Sequence, residues 1–263
     1  MTKSATRVAA DEVSAPIASP VFTGNVGVGV TPANNATPAS GLQVGATASI
    51  GAWESGSNII TTIGSNSYFN STYKYITTNT AALIRLINGA INFNVAPSGT
   101  ADSAISWTTA MTIDNTGAVT MPNQPSFNAK GSSTLSNIAI NTVITVPFAT
   151  ERFDVGSNYS TSTHKFTAPV AGKYLFHVYL RLQNVDASSG YYQVYCETTN
   201  SSLEVHIYDS EALDLDPTYW TSTGTTVAHM DANDTAHITL YQAGGQAQTD
   251  IQSNSTFYGY LIG

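Results

Sequence analysis

The densest group of acidic residues is the place in this chain where carboxylate chemistry could occur. Its members are Asp209, Glu211, Asp214 and Asp216. Two carboxylates at a fixed separation could cleave a glycosidic bond, and carboxylates combined with backbone carbonyls could bind calcium. A solvated loop between two strands would need neither. The sequence leaves these three interpretations open and assigns no metal ligands.

Aromatic side chains close to predicted turns form a second candidate site, a surface that could stack on sugar rings. Those with Asp, Asn or Thr neighbours that could bond sugar hydroxyls are Tyr191, Tyr192, Tyr219 and Trp220. Tyr and Trp are equally favoured in cores and subunit interfaces, because they bury a large area and keep one polar group. The predicted ligand site combines these four residues with Asp214 and Asp216.

Other catalytic patterns are missing from the sequence. No Gly-x-Ser-x-Gly segment and no phosphate-binding Gly-rich loop before a helix is present. Outward-facing positions on separate strands account for the histidines, since no pair has the spacing of metal ligands. They are His164, His177, His206, His229 and His237. We therefore expect no catalytic residues, no enzyme activity, and no cofactor unless calcium is bound.

The composition favours a β protein that does not bind nucleic acid. Only 10% of the 263 residues are charged, against the roughly 25% usual in soluble domains, and the abundant Ser, Thr and Asn disfavour helices. A net charge of −8 opposes contact with phosphates, which needs clustered Lys and Arg. The single cysteine, Cys196, excludes an intramolecular disulfide, and its apolar neighbours predict a buried, unreactive thiol.

No segment approaches the ~18 apolar residues of a membrane span, and the first residues lack the apolar core of a signal peptide. We therefore expect synthesis in a cytoplasm and no membrane insertion. The only helical pattern covers residues 5–13 and ends before Pro16 and Pro20, because proline lacks the donor that a helix needs. Residues 1–20 are predicted to be an attachment segment that contacts a larger assembly.

Residues 21–122 show short alternating runs separated by Gly, Asn and Pro, which predict a β-rich shaft of strands too short to close a core within one chain. Two hairpins are predicted there, one over 81–93 with its turn at Asn88-Gly89, and one over 111–121. The pattern changes at Pro122 to Pro125, after which the strands are longer and more aromatic. The clearest strand is 173–182, with one apolar face formed by Tyr174, Phe176, Val178, Leu180 and Leu182.

The segment after this boundary resembles the globular head of the complement component 1q and tumour necrosis factor superfamily. The matching runs are PSFNA at 125–129, NTVI at 141–144 with Phe148, FDVG at 153–156 with Tyr159, FTAPVAGKYLF at 166–176 and STFYGYLI at 255–262. The resemblance implies a ten-stranded jelly roll that trimerises and binds a ligand. Asn233-Asp234 replaces a frequent Gly-Asp of the family, and Asn tolerates the left-handed conformation of that turn.

The first half is similar to segments of bacteriophage tail fibres and related adhesins. The run ASPVFTGNVGVGVTP at 18–32, with Gly41, Leu42, Gln43 and Val44 after it, is similar to a repeat of such fibres. The run MTIDNTGAV at 111–119 is similar to the terminal repeat of fibre shafts. No Gly-X-Y repeat of a collagen-like stalk is present.

Together these patterns predict an all-β homotrimer with an attachment segment over 1–20, an intertwined β-rich shaft over 21–122 and a jelly-roll head over 123–263. The predicted function is host recognition by a virion tail fibre or surface fibre. Its partners would be copies of itself, other virion proteins through the N-terminal segment, and a host-surface glycan or protein. The alternatives are a structural or capsid-decorating fibre that binds no receptor, and a polysaccharide depolymerase.

Overall fold

The computed structural model describes residues 25–33 and 40–263, and these residues form an all-β protein without an α-helix. The described part of the chain accordingly contains no helix long and apolar enough to cross a membrane. The helix predicted over 5–13 and the attachment segment over 1–20 lie outside the described residues. Two compact units meet between Pro122 and Asn123.

The first unit is built around an eight-stranded sheet. Its strands, as far as the unit is described, are β1 (Val26–Val28), β2 (Ser40–Val44), β3 (Ala48–Ser55), β4 (Asn58–Ser65), β5 (Ser67–Asn70), β6 (Thr72–Tyr75), β7 (Asn79–Ile87), β8 (Ala90–Gly99), β9 (Thr108–Ile113) and β10 (Val119–Thr120). The sheet has the order β1-β2-β3-β4-β7-β8-β9-β10, while β5 pairs with β6. All neighbouring strands are antiparallel except β1 and β2.

Both predicted hairpins of this unit are confirmed. Asn88 and Gly89 join β7 to β8 with φ angles of 51° and 83°, as a two-residue turn of type I′ requires. Between β9 and β10, Asp114 Oδ1 accepts the N–H groups of Thr116 at 2.8 Å and Ala118 at 3.0 Å. These turns fix the register of the strands that they join.

The strands of this unit are longer than the sequence analysis expected. Strands β3 and β4 have eight residues each. Small residues such as Gly51 and Gly64 weaken the alternation of apolar and polar side chains along these strands. One face of the sheet is covered from within the chain, because the β5–β6 hairpin packs aromatic rings against it. The ring of Trp53 lies 4.6 Å from that of Phe69, measured between centroids. A single chain therefore closes one side of this unit.

The second unit, residues 123–263, is a sandwich of two sheets. Its strands are β11 (Ser126–Lys130), β12 (Ile144–Thr145), β13 (Thr150–Val155), β14 (Tyr159–Ser160), β15 (Lys165–Thr167), β16 (Gly172–Gln183), β17 (Tyr191–Thr198), β18 (Ser202–Asp209), β19 (Tyr219–Met230), β20 (Thr235–Gln242), β21 (Asp250–Ile251) and β22 (Thr256–Leu261). Sheet I has the order β13-β11-β22-β16-β19, with β21 beside β16, and sheet II has the order β14-β15-β20-β17-β18, with β12 beside β20.

This sandwich confirms the predicted jelly roll. It has twelve strands instead of the expected ten, and three of them, β12, β14 and β21, are only two residues long. Along β16, the predicted apolar face is buried and alternates with partly exposed residues. The turn at Asn233 has the expected positive φ, 75°.

The core between sheets I and II is strongly aromatic. The ring of Phe127 lies 4.9 Å from those of Tyr159, Phe166 and Phe257, measured between centroids. Cys196 is fully buried and unpaired. Burial raises the pKa of its thiol to about 12, so the thiolate is suppressed and the predicted unreactive thiol fits this environment.

Candidate functional site

The six predicted ligand residues do not all face one exposed surface. Tyr192 alternates with Tyr191 along β17, and its side chain is fully buried in the core. Its hydroxyl lies 2.6 Å from Thr249 Oγ1 and accepts the N–H of Asp186 at 3.0 Å. The Tyr192 ring is therefore not available to stack on a sugar.

Trp220 is also largely internal, at one end of a stack of three rings. The ring of Tyr208 lies between the other two, with centroids 5.0 Å from Tyr192 and 5.1 Å from Trp220. Burial raises the pKa of the Tyr208 hydroxyl, so that hydroxyl remains neutral. This stack connects sheet II to β19 of sheet I, which is a packing role.

Tyr219 is exposed, but it lies on the outer face of sheet I, away from Tyr191. Its ring is 52% exposed, and the Arg181 guanidinium carbon lies 4.4 Å from the ring centroid. This is a cation–π contact. A ligand that stacked on Tyr219 would have to displace or share Arg181.

The two predicted carboxylates lie in the loop between β18 and β19. Asp216 accepts the N–H of Ala187 at 2.8 Å and a side-chain N–H of Gln248 at 2.9 Å, one on each oxygen. These bonds, chiefly the one from Ala187, lower the pKa of Asp216. Asp214 is exposed. Asp216 thus ties its loop to the loops after β16 and β20.

Across the described ranges, no group of three or more His, Cys, Asp or Glu residues is arranged to hold a metal. The Asp216 oxygens already accept hydrogen bonds from the neighbouring loops.

Tyr191 lies at an open depression on the surface of sheet II. Its ring is 38% exposed, and the Tyr241 ring lies beside it, with centroids 5.9 Å apart. The depression is lined by Gly190, Tyr191, Ile207, Tyr208, Asp209 and Glu211. An exposed ring can stack on the apolar face of a sugar, and adjacent carboxylates can accept bonds from its hydroxyls.

No sequence pattern marks Tyr241 or Ile207 as part of this surface. Tyr241 of β20 and Ile207 of β18 are both paired with Gln193 of β17. Alternation within β20 indicates that Tyr241 shares a face with His237 and Thr239. The pairing of β17 with β20 is a long-range feature, however, and no local pattern reveals it.

Two histidines depart from the predicted outward positions on strands. His164 lies in a turn with a φ of 60°. His206 is on β18, but it points inwards, with Nδ1 2.6 Å from Ser222 Oγ. His206 of sheet II and Ser222 of sheet I are hydrogen-bond partners across the core, which explains how an imidazole is tolerated there.

Comparison with known proteins gives one family match. A family model described as C1q domain matches residues 126–262. Among solved structures, the globular domain of zebrafish complement 1qA is similar, with 16% identity, a TM-score of 0.40, and coverage of 53% of this chain and 98% of that one. Murine APRIL, crystallised at pH 8.5, is similar with 9% identity, a TM-score of 0.39, and coverage of 53% and 99%. No curated protein matches the chain.

Proposed function

This chain belongs to the C1q domain family, and we propose that it is a homotrimeric virion fibre of the bacteriophage tail-fibre kind, whose head binds a glycan on the host cell surface. C1q-like and tumour necrosis factor-like domains typically form homotrimers and bind ligands, and most of them are not enzymes. The proposed ligand, virion and attachment point go beyond what family membership gives.

The observation that carries the proposed glycan binding is the aromatic surface of Tyr191 and Tyr241 beside Asp209 and Glu211. The ring of Tyr191 is accessible, whereas the rings of Tyr192 and Trp220 are occupied by core contacts. Asp209 Oδ1 accepts the N–H of Glu211 at 3.0 Å, which holds the two acidic residues at the edge of the depression. Both carboxylates are exposed and could accept bonds from sugar hydroxyls.

The proposed trimer is supported by the outer face of sheet I. Val227 of β19, Leu175 of β16 and Tyr260 of β22 are in register across three strands, so their side chains lie side by side. Val227 and Tyr260 are 49% and 42% exposed. Partly exposed apolar and aromatic side chains aligned across three strands are typical of a subunit interface.

Three-fold symmetry would let weak glycan sites act together. One exposed ring with two carboxylates would bind a sugar only weakly, but three linked sites raise the effective affinity through avidity. The proposed location on a virion follows from the similarity of residues 18–32 and 111–119 to fibre repeats. Under this proposal, residues 1–20 join the fibre to other virion proteins.

Binding of the labelled full-length protein to a panel of bacterial strains tests this function. We expect selective binding to at least one strain and a loss of roughly tenfold or more for Tyr191→Ala, in the range of a binding hot spot. Tyr219→Ala is the matched control, because it removes an exposed ring from the opposite sheet. Light scattering confirms that both variants keep the assembly of the parent protein.

Two further readouts separate the alternatives. Binding that survives a calcium chelator would argue against a calcium-dependent site, and released reducing ends from host polysaccharide would indicate a depolymerase. A folded, trimeric protein that binds no strain would favour a structural fibre. If Tyr191→Ala bound the cells as well as the parent protein does, the depression on sheet II would not be the glycan-binding site.

A further inference from the structure

The eight-stranded sheet of the first unit has one face that the other described residues of this unit leave uncovered. We call it the aliphatic face. It is formed by the residues Leu42, Ile50, Ile59, Ile63, Ile84, Leu86, Ile91, Phe93, Val95, Met111, Ile113 and Val119. Ile59 is 67% exposed and Ile63 51% exposed. The hairpin β5–β6 packs on the opposite face, against Trp53 and Ile60.

The strand register arranges these residues in continuous rows. One row crosses six strands through directly paired positions: Leu42, Ile50, Ile63, Ile84, Phe93 and Met111. A second row joins Leu86, Ile91, Ile113 and Val119. Paired residues in a sheet point to the same side, so the rows form one apolar surface. Among the paired positions of this surface, Glu54 at the end of β3 is the one charged residue.

The size of the aliphatic face matches a protein interface. Strands lie ~4.8 Å apart and rise ~3.3 Å per residue, so six strands of about seven residues present on the order of 700 Å². Soluble monomers rarely expose contiguous apolar patches above ~300–600 Å². Stable interfaces bury roughly 600–1,000 Å² on each partner. The area of the aliphatic face falls within this range.

We infer that the aliphatic face packs against the same face of further copies of this chain, so that three sheets enclose an apolar core. An apolar surface with a single charged residue, Glu54 at its edge, suits a symmetric homo-oligomer. Residues 1–24, which the structure does not describe, are a poor alternative cover for the aliphatic face. They contain few large apolar residues: Met1, Val8, Val13, Ile17, Val21 and Phe22. The number of copies, three, rests on the trimer proposed above. The location of the contact between copies is inferred from the aliphatic face alone.

Single cysteines in the full-length protein test this contact. Ile63→Cys and Val95→Cys place thiols on the aliphatic face, and Asn115→Cys places one in the exposed β9–β10 turn as the control. The native Cys196 is fully buried and stays silent. We expect maleimide to label Ile63→Cys at least roughly tenfold more slowly than Asn115→Cys, since labelling requires opening of the interface.

Chemical cross-linking identifies what covers the face. A short bismaleimide should join Ile63→Cys or Val95→Cys chains into covalent dimers, and a trifunctional maleimide should produce covalent trimers. Fast labelling without cross-links would overturn the inference, because the face would then be free. Slow labelling without cross-links at both positions would also overturn it, in favour of a cover from the same chain. These readouts concern the first unit and are independent of cell binding by the head.

Discussion

Gly244 and Gly245 isolate the effect of a single Cβ atom in the loop after β20. Both have positive φ angles, 71° and 76°, so alanine is strained to a similar degree at either position. A Cβ on Gly244 would meet nothing within 4 Å, whereas one on Gly245 would lie 2.0 Å from Asp186 Oδ2. The Asp186 side chain is buried and accepts the N–H of Gln246.

We therefore expect Gly245→Ala to destabilise the protein by at least ~2 kcal/mol more than Gly244→Ala, because the buried carboxylate must give up hydrogen bonds. Urea denaturation of the two variants measures this difference. If both variants lost the same free energy of unfolding, backbone strain alone would set the destabilisation, and the loop would move away freely from Asp186.

His177 makes the stability of the head depend on pH. Its ring stacks on Tyr258 at 4.7 Å between centroids, and Nδ1 lies 2.7 Å from Thr225 Oγ1. Burial lowers the pKa of His177, so the unfolded chain takes up a proton more readily than the folded one. The contribution of neutral His177 to the stability of the head is fully present above the pKa that His177 has in the unfolded chain, ~6.5. It is lost as the pH falls towards the lower pKa of His177 in the folded protein.

The melting temperature is therefore expected to fall between pH 7 and pH 5, and to fall less in His177→Gln. The exposed His229, on the same strand as Thr225, provides the control variant His229→Gln, which should keep the slope of the parent. His237, whose pKa is lowered by burial and by Lys165, accounts for the slope that remains in His177→Gln. An unchanged slope in that variant would refute the assignment.

Among structural elements, the β5–β6 hairpin depends on one buried amide. Asn66, with a φ of 57°, donates to the carbonyl oxygens of Thr77 and Thr80, both at 3.0 Å, and its Oδ1 accepts the Thr77 N–H at 2.7 Å. It thereby joins the start of the hairpin to the segment that leads into β7. The side chain is 3% exposed, so water cannot replace these bonds.

We expect Asn66→Ala to lower the free energy of unfolding by about 2–3 kcal/mol, because buried backbone groups lose their partners. Asn88→Ala is the matched control, since Asn88 also has a positive φ but makes its hydrogen bonds at the surface. Its cost should be clearly smaller in the same thermal or urea titration. A similar cost for both would assign the effect to the backbone conformation.

Local patterns predicted the elements better than they predicted the candidate site. The alternation in β16 and the Asn88-Gly89 turn are encoded by neighbouring residues, and both are confirmed. The strands of the first unit were expected to be short, and the eight residues of β3 depart from this because residues such as Ala52 and Gly51 do not contrast in polarity. Tyr191 and Tyr192 differ by one position but point to opposite faces, and adjacent tyrosines in a sequence do not reveal which one faces the core.

On the scale of the whole molecule, the two units present separate apolar surfaces for assembly, the aliphatic face and the Val227, Leu175 and Tyr260 row. If both hold the same copies together, each interface raises the effective concentration at the other. Breaking one should then leave the assembly intact, whereas breaking both should not. A buried carboxylate in either contact costs several kcal/mol, because it loses its hydration.

We therefore expect the parent protein, Ile63→Asp and Val227→Asp each to have three times the 27.7 kDa mass of the chain in light scattering at micromolar concentration. The double variant should be a monomer with the far-ultraviolet spectrum of a β protein. Leu215→Asp, in the exposed loop before β19, controls for added charge and should remain a trimer. A monomeric Val227→Asp would show that the aliphatic face cannot hold the chains alone, and a trimeric double variant would place the principal contact elsewhere.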